Sequence, residues 1–164
     1  MRAVLIREFV EADWPSVLSI YQEVVAAGDT FPYDPAWPAA VAREVWVEGP
    51  PGRTVVAVDG DRVLGTAKMG RNRPGPGAHV STASFMVAGD ARGRGVGRAL
   101  AEHTLDWARA QGYAAMQFNA VVESNTVAVE LYRRLSFTVI GTVPESFVHP
   151  TRGRVGLHVM HRFL

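Results

Sequence analysis

The sequence predicts an α/β fold: one mixed β-sheet of about seven strands with helices on both faces. Three observations carry it. Apolar segments with a period of two residues alternate with segments of helical period. A hairpin turns at Asp59-Gly60-Asp61. A strand from about His79 to Ala88 runs directly into a glycine-rich turn and then an amphipathic helix. The resulting order is β-α-α-β-β-β-α-β-α-β-β.

Each element has its own signal. Leu5-Ile6-Arg7-Glu8-Phe9 reads as the first strand. Asp13 suits a helix N-cap and Pro15 a first turn. Val17, Leu18, Tyr21, Val24 and Val25 follow at helical spacing. Residues 28–38 (GDTFPYDPAWP) combine turn formers with aromatics and form a loop. A short helix over 39–47 is broken by Gly49-Pro50-Pro51-Gly52. Residues 53–58 and 62–69 form the hairpin, and 71–77 a Gly/Pro loop. In the helix over 95–111, Arg98, Glu102, Asp106 and Arg109 share a polar arc opposite Val96, Leu100, His103 and Trp107. Residues 115–121 read as a strand, 125–135 as a helix, and 137–143 and 155–162 as the closing strands.

Composition bounds the function. The 164 residues suit a single domain over 1–164, and 48% hydrophobic with 20% charged residues is ordinary for a packed globule. No apolar run approaches the ~18 residues of a membrane span, and residues 1–7 are too short an apolar stretch for a signal peptide. The expectation is a cytoplasmic protein with no membrane partner. A net charge of +1 gives no field to hold nucleic acid. Lys68 is the sole lysine, which leaves little room for Schiff-base chemistry. There is no cysteine, so disulfides, thiolate ligands and acyl-cysteine intermediates are excluded. The five histidines lack metal-ligand spacing, and no metal is expected.

The stretch Arg92-Gly93-Arg94-Gly95-Val96-Gly97 carries the main functional signal. Glycines at a helix start leave backbone N–H groups bare at the positive end of the helix dipole, where a phosphate is favoured. It is not a Walker loop, because no Gly-Lys-Ser/Thr follows. It is not the dinucleotide fingerprint either, since position 98 is Arg where the third glycine belongs. Taken alone it could also be a plain strand-to-helix turn. A second constellation lies downstream: Asn125 and Tyr132, seven residues apart, fall on one helix face. Asn125 can equally cap the helix, and Tyr132 can equally be a core aromatic with a polar tip.

With both motifs in view, the chain resembles the GCN5-related N-acetyltransferases. Arg92-x-x-Gly95-x-Gly97 matches their [QR]-x-x-G-x-[GA] signature, and Asn125-x-x-Ala128-x-x-x-Tyr132-x-x-Leu135-x-Phe137 is similar to their downstream helix. The resemblance implies the GNAT fold, with the sheet splayed between its fourth and fifth strands. It implies acetyl-CoA as co-substrate. Phe85, Met86 and Val87 would lie on the strand that pairs with the pantetheine arm. Arg92, Gly93, Arg94, Gly95, Val96, Gly97 and Arg98 would cradle the pyrophosphate. Asn125 would hydrogen-bond near the thioester, and Tyr132 would protonate the departing thiolate. The family usually has glycine after the tyrosine helix, where this chain has Ser136. Serine in a left-handed conformation costs about 1 kcal/mol.

A narrower resemblance runs through Phe118-Asn119-Ala120-Val121, similar to a branch that acetylates proline analogues and other small amines. In that branch Asn119 would sit in the acceptor pocket, and an asparagine tends to stand where this chain has Thr82. Asn119 could also be a satisfied polar residue at a strand end. The loop holding Thr30, Phe31 and Tyr33 has the character of an acceptor wall, with two aromatics and a hydroxyl. His79, Glu123 and His149 are candidates for a general base. The expected activity is N-acetylation of a small-molecule amine through a ternary complex, and a homodimer is compatible with it. The competing readings are acetylation of a protein or peptide amine and a non-catalytic acyl-CoA-binding module.

Overall fold

The computed structural model describes residues 3–164. Its elements are β1 (Leu5–Glu8), α1 (Trp14–Ala27), α2 (Ala39–Trp46), β2 (Arg53–Asp59), β3 (Arg62–Arg71), β4 (Val80–Val87), α3 (Val96–Ala110), β5 (Ala115–Val122), α4 (Thr126–Arg134), β6 (Thr138–His149) and β7 (Gly153–Phe163). The strands form one seven-stranded sheet in the order β1-β2-β3-β4-β5-β7-β6. β4 and β5 run parallel, joined by the α3 crossover, and every other pair is antiparallel. The mixed sheet expected from the sequence is the sheet observed.

The strand period sorts residues between two helical layers. On β3, the Thr66 hydroxyl accepts a hydrogen bond from the Trp46 indole of α2 at 3.1 Å. Its neighbour Gly65 faces α3. A β-carbon there would lie 3.0 Å from Val96 Cγ1 and 3.1 Å from Leu100 Cδ1, so glycine lets α3 settle directly on the sheet. Register carries this alternation into β4: Phe85 opposes Ala67, and Ser84 opposes Lys68. Phe85, Ala83 and Val87 therefore share the α3 face, while Met86, Ser84 and Thr82 share the α2 face. The core between these layers includes Val55, Val56, Leu64, Met69, Leu100 and Met160, all at most 1% exposed.

Two local expectations need correction. Asp13 occupies the N-cap position of α1, but its side chain does not cap. Its carboxylate instead accepts two bonds from the Arg7 guanidinium, at 2.7 and 2.8 Å, and one from the Val10 N–H at 2.9 Å. The adjacent guanidinium holds the Asp13 carboxyl below the usual carboxylate range, against the opposing effect of burial. The last two strands are also longer than their apolar patterns suggest. β6 continues past Pro144 to His149 because an irregularity absorbs residues 144–146: the register passes from Val143↔Leu157 to Phe147↔Val155, and Glu145 takes φ 50°.

Candidate active site

The site begins where β4 and β5 part. Their ladder holds only Val80↔Ala115 and Ser81↔Met116. The buried Ser81 hydroxyl donates to the Ala115 carbonyl at 2.9 Å and fastens this closed end. Beyond it, residues 82–87 of β4 and 117–122 of β5 are not paired with each other. β5 bulges between Phe118 and Val121 as it follows β7 instead. β4 stays paired with β3 through Val87, so Phe85, Met86 and Val87 keep one ordered edge and turn the other toward the gap. Met86 is buried in the core, 1% exposed as a whole residue, so its side chain is not part of the gap's surface.

The glycine turn lies at the open end of β4. Gly93 and Gly95 have φ of 73° and 79°, the left-handed region where glycine is strongly preferred. Gly95 is the N-cap of α3 and supplies no side chain to the first helical N–H groups. The first internal helix bond at this end runs from the Ala99 N–H to the Gly95 carbonyl, at 3.0 Å. The N–H groups of Val96, Gly97 and Arg98 therefore belong to the unfilled first turn. A β-carbon at Gly93 or Gly95 would meet nothing within 4 Å, so the turn opens outward. Val96 is buried, 1% exposed as a whole residue, so its side chain belongs to the core and not to the mouth of the turn. Arg92 and Arg98 are exposed, Arg98 paired with Glu102 at 2.8 Å, and Arg94 stands 3.5 Å from Asp59.

Asn125 and Tyr132 approach from the α3 face. Asn125 caps α4, its side-chain oxygen accepting from the Ala128 N–H at 3.4 Å. Capping employs the oxygen and leaves the amide NH₂ as donor. Tyr132 packs between Phe118, Phe137 and Phe85, with ring centroids at 4.6, 6.0 and 6.1 Å. Burial pushes its phenol well above the ordinary tyrosine range, so it is protonated at neutral pH.

The residues expected on the acceptor side lie on the opposite face. Phe31 and Tyr33 join Trp46 and Tyr21 in an aromatic wall: Phe31 meets Trp46 edge-on at 6.0 Å, and Tyr33 stacks on Tyr21 at 5.8 Å. Desolvation, with smaller contributions from Tyr21 and Glu48, pushes the Tyr33 phenol up to about 12. Thr30 is partly buried in the same loop. Asn119 donates to the Asn72 side chain at 2.6 Å and accepts from Gln117 at 2.9 Å. Thr82 opposes Gly70 and lines a cleft of about 260 Å³ with Ser84, Lys68, Glu48 and Pro51.

Of the base candidates, His79 is exposed and precedes the closed end of the gap. His149 sits at the β6–β7 turn, accepting from the Thr151 and Arg152 N–H groups at 3.2 Å each. Glu123 accepts the Gly156 N–H at 2.6 Å, tied to β7. Lys68 and Glu48 were not singled out for the site from the sequence. The available signal was a lone lysine inside the apolar run Val63–Met69.

The comparisons with known proteins agree with this geometry. The model of the Acetyltransferase (GNAT) family matches residues 14–137. The chain belongs to this family. This acetyltransferase is 34% identical over 146 residues to the L-methionine sulfoximine/L-methionine sulfone acetyltransferase of Pseudomonas paraeruginosa, covering 85% of this chain and 83% of that one. It superposes with a TM-score of 0.96 on a GCN5-related N-acetyltransferase from Kribbella flavida, 59% identical, covering 99% and 98% of the two chains. A ribosomal-protein-alanine N-acetyltransferase from Brucella melitensis is 27% identical with a TM-score of 0.83, covering 98% and 99%.

The acetyltransferase uses acetyl-CoA, and the residues present fit it. The bare helix start suits a pyrophosphate, and the free edge of β4 suits an amide-bearing arm that can continue a ladder. Among the described residues no group of three or more histidines, aspartates and glutamates is placed to hold a metal ion. None of the described helices is long and apolar enough to cross a membrane.

Proposed function

We propose that this acetyltransferase acts on the amine of an amino acid or amino-acid analogue, in a ternary complex with acetyl-CoA. The observation that carries the reading is the small cleft on the α2 face of β4, opposite the face from which Tyr132 approaches. The amine nitrogen attacks the acetyl carbonyl carbon and the C–S bond breaks. Tyr132 gives its phenolic proton to the thiolate and regains one when the proton released by the acylated nitrogen returns through water, and backbone N–H groups of β4 stabilise the developing oxyanion. Asn125 orients the thioester end. Residues 92–98 hold the pyrophosphate, and Phe85, Met86 and Val87 the pantetheine arm. Thr30, Phe31, Tyr33, Thr82 and Asn119 shape the acceptor side. The activity of the Pseudomonas relative on methionine sulfoximine and sulfone supports this acceptor class. Cytoplasmic residence and a homodimer complete the proposal. The outermost strand β6, with Ile140 64% and Val148 75% exposed, offers a long edge for a second copy, and light scattering would weigh the particle.

Thiol release from acetyl-CoA against amino acids, polyamines, aminoglycosides and peptides tests the acceptor class. Turnover is expected with amino acids or their analogues. Turnover with peptides alone would favour a protein amine, as in the Brucella neighbour. Intersecting initial-rate lines are expected; parallel lines would defeat direct transfer.

A further inference from the structure

The cleft beside the gap is lined by two cations, the exposed Arg71 and the largely buried Lys68. Lys68 is the only lysine of the chain and its side chain is 20% exposed. Its ammonium donates to the Val45 carbonyl at 2.7 Å. Glu48 stands 3.7 Å away, close enough to attract the charge and too far for a hydrogen bond. An ammonium has three N–H donors, so this arrangement leaves donors for a ligand. Lys68 lies directly opposite Ser84, in the part of β4 that borders the gap. The same cleft is lined by Thr82 and Ser84, which add hydroxyls, and Pro50 and Pro51, which add a stiff apolar side. Trp46 holds the lysine from below, its ring centroid 5.9 Å from Nζ.

We propose that Lys68 is the residue that selects acceptors carrying a carboxylate, by binding that carboxylate in this cleft while the acceptor's amine points toward the β4–β5 gap. A half-buried ammonium in a narrow, partly dehydrated cleft attracts an anion more strongly than a solvated one does. Burial lowers the lysine's affinity for its proton while Glu48 raises it, so the carboxylate neighbour helps keep the site cationic. This inference rests on the acceptor reading above and adds to it a residue and a chemical class.

The test compares an amino acid, methionine sulfone, with its amide and with the amine that lacks the carboxyl group. Wild type should show kcat/KM at least tenfold higher for the acid. K68M should raise KM for the acid about tenfold or more, leave KM for the two carboxylate-free amines within about twofold, and leave acetyl-CoA affinity unchanged. K68R, which keeps a cation, should retain part of the preference. Equal loss for all three acceptors in K68M would mean a merely structural lysine and overturn the proposal, as would equal use of acid and amine by the wild type. Calorimetric binding of methionine sulfone to the CoA complex separates the two readings. Lysine-dependent binding without turnover would refute the acceptor reading and uphold the carboxylate site. Turnover of carboxylate-free amines alone, with no binding of the acid, would refute the carboxylate site and leave only the acetylation of a small amine standing.

Discussion

Tyr132 enters the gap from α4 with its phenol held protonated by the aromatic packing around it. Removing the hydroxyl keeps the ring stack and deletes only the proposed proton donor. Tyr132→Phe should therefore lower kcat by roughly 10²-fold, with acetyl-CoA affinity close to wild type; stopped-flow turnover and calorimetry together measure both. Wild-type turnover would assign thiolate protonation to water. Asn119 is a link between Gln117 and Asn72 rather than an isolated pocket group. Asn119→Ala should raise KM for the acceptor and leave acetyl-CoA binding nearly intact, as initial-rate kinetics would show. Tyr132 and Asn125 were legible in the sequence because a two-turn offset on one helix is a local property. Lys68 was not, because its position opposite Ser84 depends on register between two strands, which local pattern does not specify.

At the scale of elements, backbone conformation separates sharply what each glycine or serine does. Gly95 has φ 79°, and its absent side chain faces open space. Gly95→Val should weaken CoA binding by tenfold or more, on the order of 1.4 kcal/mol, through both backbone strain and a side chain at the helix mouth. Gly97→Ala is the control: its β-carbon would meet Val87 at an ordinary 3.7 Å, so the variant should fold normally. Unchanged affinity in folded Gly95→Val would remove the loop from the cofactor site. Ser136 takes φ 67° after α4, the left-handed residue the sequence suggested. Ser136→Gly should stabilise by about 1 kcal/mol, a rise of roughly 2–4 °C in Tm by calorimetry. Helices and inner strands were readable because burial imposes period on them. The far half of β6 was not, since the exposed residues 144–146 interrupt the ladder and carry no such alternation.

Across the whole molecule, the sheet is continuous in topology, and beyond local bulges its hydrogen bonding opens at one seam, between β4 and β5. Two paired positions and the Ser81 hydroxyl close that seam at its base, while α3, α4 and the α1–α2 layer brace it from both sides. The order of elements made the mixed sheet legible; the length of the β4–β5 ladder was known only through resemblance, because divergence of two strands leaves no mark in either one's pattern. The open seam makes acetyl-CoA part of the architecture. Its pantetheine amides would serve as the rungs that β5 does not supply, so the bound co-substrate would act as an inserted strand. Deuterium uptake should then divide β4 by alternate residues: amides aimed at β3 exchange slowly at all times, whereas those aimed at the seam slow only when CoA is bound. Ligand at about a hundred times Kd should add about 2.7 kcal/mol to global stability. The resting enzyme thus carries an unsealed β-edge at its centre, and its resistance to heat and to aggregation through that edge should follow the supply of its own acyl donor.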